Sequence, residues 1–168
     1  RSAPFANLAN DANRSSAFGS RFFARIVMST QFNNVWRCAM SFPSVSGAGD
    51  AFVDAVLLEL ERRAWSSKDL FAVQLALEEA IANAVEHGNR RDASKKVDVS
   101  AEISFERVLL SVRDEGEGFD ESATPNPTLV ENLEIPTGRG LLLIRSFMTN
   151  VWLGSGGEIF MEKTPNGA

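Results

Sequence analysis

The stretch LEEAIANAVEHGN, residues 77–89, decides how the chain is read. Its alanine and aliphatic content is that of a buried helix, yet it carries Glu79, Asn83, Glu86, His87 and Asn89, more polar groups than an inert packed face tolerates. Glu79 and Asn83 stand four residues apart, one turn above each other on a single face, and Glu86 and His87 extend that line. A carboxylate above a carboxamide can accept a proton from an attacking hydroxyl or water and offer a neutral oxygen to Mg²⁺. The plainer alternative is a solvated polar face.

Working outward, SSKDLFAVQLALEEAIANAVEHGN, residues 66–89, forms one helix, capped by Ser66 or Ser67 and stopped at Gly88. Before it, VWRCAMSF, residues 35–42, reads as a strand ended by Pro43. DAFVDAVLLELERRAW, residues 50–65, reads as a helix with Phe52, Val53, Val56, Leu57 and Leu60 at helical intervals. After it, residues 96–106 and 107–116 read as two strands joined by a tight turn near Glu106. Residues 114–140 read as a long loop, residues 141–149 as a short helix, and NVWLG and GEIFMEKT as a closing hairpin around SGG. Hairpins in succession with helices between blocks predict an α+β, two-layer sandwich: a mixed, mostly antiparallel sheet with helices on one face. A structureless loop of about 20 residues in such a domain is expected only as a functional lid.

Residues 1–33 are expected to be a leader outside this domain, which is assigned to residues 34–168. Residues 1–27 hold four arginines and a single acid, Asp11, against a net charge of -5 for the whole chain. That composition fits a transit-like peptide, a docking arm, or a disordered leader upstream of a natural start at Met28, the reading favoured because periodicity begins after MSTQFNN. An overall acidic chain lacks the clustered basic residues that contact phosphate backbones, so nucleic acid is not an expected partner. A lone cysteine, Cys38, and a lone histidine, His87, exclude an intrachain disulfide, a cysteine zinc site and a two-histidine metal site, and suit a reducing cytoplasm. No apolar run approaches the roughly 20 residues that cross a bilayer, and no membrane association is expected.

Two further stretches bear on chemistry. DEGEGF follows the strand VLLSVR, so Asp114 sits at a strand end, where a carboxylate can accept a hydrogen bond from an exocyclic amine. Gly116 and Gly118 lie where the backbone turns tightly or passes something flat; a plain glycine turn is the alternative. In TGRGLLLI, Gly138 and Gly140 lead into an apolar helix whose N-terminal dipole suits an anion, and Arg139 adds a fork of donors for phosphate. Glycine before a helix is also a common loop device.

Taken in order, Glu-x-x-x-Asn on a helix, Asp-x-Gly-x-Gly-Phe after a strand, a lid-like loop and Gly-x-Gly before a helix resemble the N, G1 and G2 boxes of the GHKL ATPases. The wording EEAIANAVEHGN, DEGEGFD and GRGLLLIRSFMT resembles the anti-sigma-factor serine/threonine kinases of the RsbW type, over about residues 34–164. The resemblance implies a Bergerat-type ATP-binding fold with ATP and Mg²⁺ as cofactors. It implies Glu79 as catalytic base, Asn83 as Mg²⁺ ligand, Asp114 as adenine reader, and Gly116 and Gly118 as the floor under the base. Gly138, Arg139, Gly140 and the adjoining Leu141 would hold the nucleotide beneath the lid. His87 matches the family's His-Gly, although a cation-capable residue is also favoured at any helix C-terminus.

Within that superfamily, His87 inside the nucleotide helix cannot serve as the phospho-acceptor of a histidine kinase. Neither a Walker G-x-x-x-x-G-K-[ST] nor an H-R-D catalytic loop occurs. The resemblance implies a cytoplasmic kinase that phosphorylates a small anti-sigma-factor antagonist and sequesters a sigma factor, with pairing as a homodimer. The alternatives are an ATP-gated protein-binding regulator with little or no kinase activity, and a scaffold that no longer binds nucleotide.

Overall fold

The computed structural model describes residues 27–32, 34–116, 118 and 136–165. Six strands, β1 (Val27–Phe32), β2 (Val35–Pro43), β3 (Lys96–Ile103), β4 (Val108–Arg113), β5 (Asn150–Leu153) and β6 (Glu158–Lys163), form one sheet in the order β1-β2-β3-β4-β6-β5. Three helices, α1 (Asp50–Arg62), α2 (Ser67–Asn83) and α3 (Pro136–Phe147), complete the α+β layers. The sequence allowed for a mixed sheet, but every pairing among the described residues is antiparallel.

Alternation explains which face is covered. In β3 the odd residues Val97, Val99, Ala101 and Ile103 are buried and register across to Phe42, Met40, Cys38 and Trp36 on β2. Val112, Leu110 and Val108 continue the same rows on β4. These rows pack with Phe52, Val56 and Leu60 of α1 and Val73, Ala76 and Leu77 of α2 in a single core. Small residues on the inner side of α2, Ala72, Ala76 and Ala80, are buried. The opposite sheet face carries the even residues of β3, and there Ser100 and Ser111 share a hydrogen bond of 2.8 Å.

Ser66, not Ser67, caps α2. Its Oγ accepts the Asp69 N–H at 3.2 Å and donates to the Asp69 carboxylate at 2.7 Å. Ser66→Ala is therefore expected to lower stability by about 0.5–2 kcal/mol, read as a shift of the urea midpoint. An unchanged midpoint would show that the cap carries no weight here.

Three boundaries differ from expectation. The sheet starts before residue 34: β1 pairs with β2, linked through Asn34 at φ 60°. A left-handed asparagine is a turn residue, and the polar residues Ser29, Thr30 and Gln31 keep VMSTQF from announcing a strand. Secondly, α2 does not run on as an α-helix to Gly88. Residues Ala84–Gly88 widen into a π turn, closed by Asn89 N–H to Ala84 O at 2.8 Å. Thirdly, α3 begins at Pro136, five residues before Leu141. Two glycines in PTGRG weaken the local helical signal, whereas proline in the first turn suits a helix start. Of the expected loop over residues 114–140, residues 117 and 119–135 lie outside the described residues, as do residues 1–26, 33 and 166–168. No helix among the described residues is long and apolar enough to cross a membrane.

Candidate functional site

At the end of the sheet where β4 finishes and β6 starts, a cavity opens between the helices and the strands. Ala80, Asn83, Ala84 and His87 wall it from α2 and the π turn, Val112 from β4 and Asp114 from just beyond its end, Leu141 and Ile144 from α3, and Gly157 and Ile159 from the β6 side. Apolar walls with a few convergent polar groups are the usual form of a small-molecule site. Two flat apolar surfaces, alanines on one side and Val112 with Ile159 on the other, suit a planar ring.

Asp114 is its buried polar end, 5% exposed. Its Oδ1 accepts the Gly116 N–H at 2.7 Å. A Cβ on Gly88 would stand 2.2 Å from the Asp114 carboxyl carbon, and one on Gly157 would stand 2.4 Å from Oδ1. The carboxylate thus occupies a slot whose walls are bare backbone, and only glycine fits at either wall. Burial pushes its pKa up from 3.8, against the opposing pull of the Gly116 N–H and of Lys95 and Arg113. A ligand donor reaching Oδ2 would favour the charged form and offset that desolvation.

At the other polar end, the Asn83 side-chain amide donates to Glu79 Oε1 at 3.1 Å. Asn83 lines the cavity, and with its nitrogen donating to Glu79 its carbonyl oxygen is the end of the amide that can accept. Both residues are half-buried. α3 seats directly on this pair: a Cβ at Gly140 would be 2.1 Å from Glu79 Oε1 and 2.8 Å from Asn83 Nδ2.

The structure places Glu79, Asn83, His87, Asp114, Gly140 and Leu141 near one another at this cavity. Glu86 does not continue the polar line; it is exposed and bonds Arg91 at 2.8 Å. Gly116 packs behind Asp114, where a Cβ would meet the Gly88 carbonyl at 2.3 Å. Gly118, at φ 90°, lies over the Gly156–Gly157 turn. Gly157 is the glycine on the cavity wall. Gly138, Arg139 and Gly140 lie inside the first turns of α3 rather than ahead of it, with Arg139 exposed and Gly140 buried. Among the described residues no group of three or more His, Cys, Asp or Glu gathers as a metal cluster.

The model of the histidine kinase-like ATPase domain matches residues 50–163, which contain every cavity residue. The chain belongs to the histidine kinase-like ATPase family. Among similar members of this ATPase family, an anti-sigma F factor of Clostridium perfringens is 31% identical over 106 residues, 59% of this chain and 75% of that protein. An anti-sigma F factor of Geobacillus thermodenitrificans is 32% identical over 102 residues, 56% and 69% of the two chains. That of Oceanobacillus iheyensis is 27% identical over 133 residues, 74% and 90%. Within this ATPase domain, sequence reading missed Gly88 and Gly157 as the walls of the Asp114 slot. SGG signalled a hairpin turn and nothing more, because its contact with Asp114 spans 43 residues.

Proposed function

We propose that this chain is an ATP-dependent serine/threonine protein kinase acting as an anti-sigma factor, which phosphorylates a small antagonist protein and sequesters a sigma factor in the cytoplasm. The observation that carries the reading is the Glu79–Asn83 pair, joined at 3.1 Å beside a cavity that ends on Asp114. The relatives named anti-sigma F factor support the regulatory part.

In this reading the adenine lies between Ala84 and Ile159 and donates its amine to Asp114. Leu141 and His87 border the nucleotide. Arg139 and the first turn of α3, with its positive dipole end, face the phosphates. The half-buried Asn83 oxygen is a hard neutral donor of the kind Mg²⁺ accepts alongside substrate phosphates. The ion, when bound, would draw charge from the phosphates. Glu79 accepts the proton of the substrate hydroxyl as its oxygen forms the new bond to the terminal phosphorus and ADP departs.

Two measurements test this. Wild-type protein with γ-labelled ATP and Mg²⁺ in an extract of the source cells should label one small protein; complete absence of a labelled band would sink the kinase reading. Asp114→Asn should weaken ATP binding roughly tenfold to a hundredfold, the usual scale for a lost charged hydrogen bond. Calorimetry giving equal affinities would remove Asp114 from adenine recognition.

A further inference from the structure

Asn89 borders neither the cavity nor the Glu79–Asn83 pair, yet it is 0% exposed. Its side-chain amide donates to the Lys96 carbonyl at 2.8 Å, and its side-chain oxygen accepts the backbone N–H of Glu115 at 2.9 Å. Glu115 closes the circuit, its Oε2 accepting the Lys96 N–H at 2.6 Å. Three residues thus join the end of the π turn, the start of β3 and the residue after Asp114 in one loop of hydrogen bonds. A carboxamide supplies both a donor and an acceptor at this reach; a carboxylate lacks the donor and an aliphatic side chain lacks both. With each end matched and the central residue shielded from water, the loop holds its members in one arrangement.

The neighbours of this circuit give it meaning. Gly88 precedes Asn89 and is one wall of the Asp114 slot, while Glu115 follows Asp114 directly. The bond between Asn89 and the Glu115 N–H ties the residue after Gly88 to the residue after Asp114. Were the π turn to drift from residues 114–116, the slot would open and the carboxylate would lose its fixed direction. The Gly116 Cα, also packed on the Gly88 carbonyl, belongs to the same contact.

Resting on the reading of Asp114 as the adenine reader, we infer that Asn89 is a positioning residue for base recognition: through Glu115 and Gly88 it aims the Asp114 carboxylate at the exocyclic amine, without touching the nucleotide itself. Its removal should therefore erode selectivity for that amine more than affinity for the rest of the ligand.

The test compares ATP with purine riboside 5′-triphosphate, which lacks the 6-amino group, by calorimetry on the full chain. Wild type should prefer ATP by roughly tenfold to a hundredfold. Asn89→Ala should lower that preference by about tenfold or abolish it, with affinity for the amine-free analogue nearly kept. Glu115→Ala removes only an exposed side chain and leaves its N–H in place; it should reduce the preference in the same direction by a smaller factor, and it decides the matter if Asn89→Ala does not fold. Equal weakening of both ligands, or an undiminished preference, overturns the positioning role. Wild type binding both ligands equally overturns the Asp114 reading and this inference together, whereas a selective wild type with equally selective variants overturns this inference alone.

Discussion

Replacing Glu79 by glutamine should cut phosphoryl transfer by about 10² to 10⁴, the range that a positioned general base contributes, while leaving ATP affinity nearly unchanged. The substitution is close to isosteric, and the amide oxygen of glutamine can still accept from Asn83 Nδ2, which now reaches Glu79 at 3.1 Å. Asn83 and the packing of α2 against α3 are thus retained, and only the proton-accepting capacity is lost. Single-turnover labelling of the substrate protein at saturating ATP isolates that step from binding. A variant that transfers phosphate at the wild-type rate would remove Glu79 from the chemistry, and one that loses ATP binding in parallel would assign it to binding.

Gly140→Ala should separate stability from activity. Alanine in a helix interior is favoured over glycine by about 1 kcal/mol, so on local grounds α3 gains. The new methyl, however, would stand 2.1 Å from Glu79 Oε1 and 2.8 Å from Asn83 Nδ2. Glu79 is a long side chain and can swing away at little cost to the fold, but in swinging it leaves Asn83 and, in the proposed kinase reading, the substrate hydroxyl. A displacement of about 1 Å in such a constellation can cost roughly a hundredfold in rate. We expect a urea midpoint equal to or above that of wild type, with transfer reduced by about that factor. A variant with unaltered transfer would show that the close approach of α3 to Glu79 is incidental to catalysis; one that unfolds would show that Glu79 cannot yield.

How far the sequence carried depended on the range of the interactions involved. Strand alternation in VDVSAEI and the helical spacing of Phe52, Val56 and Leu60 are written within single elements, and the core follows them. Glu79 and Asn83 stood out because one helical turn separates them. The start of α3 was hidden because Gly138 and Gly140 argue locally for a loop, whereas the close approach of Gly140 to α2 is a tertiary contact that a side chain would forbid. β1 was hidden because what specifies VMSTQF is its partner β2. The π turn was invisible for a related reason: AVEHGN is acceptable as α-helix, and the wider turn is visible only in the Asn89 N–H bond to Ala84 O. Asn89 itself looked like one more polar residue near a helix end until Lys96 and Glu115 were brought beside it.

The cavity wall has a consequence for how such a protein can diverge. Ala80, Ala84, Val112, Ile144 and Ile159 line the cavity and are also members of the hydrophobic core. This apolar half of the lining cannot be exchanged while the interior stays as it is. A lineage drifting toward a bulkier or differently shaped ligand would have to repack its interior in the same steps, each carrying a penalty of the size that overpacking or a void imposes. The exposed outer residues of α1 and α3 meet no such restriction. Ancestry should therefore be conservative about which small molecule is held and permissive about which macromolecule is met.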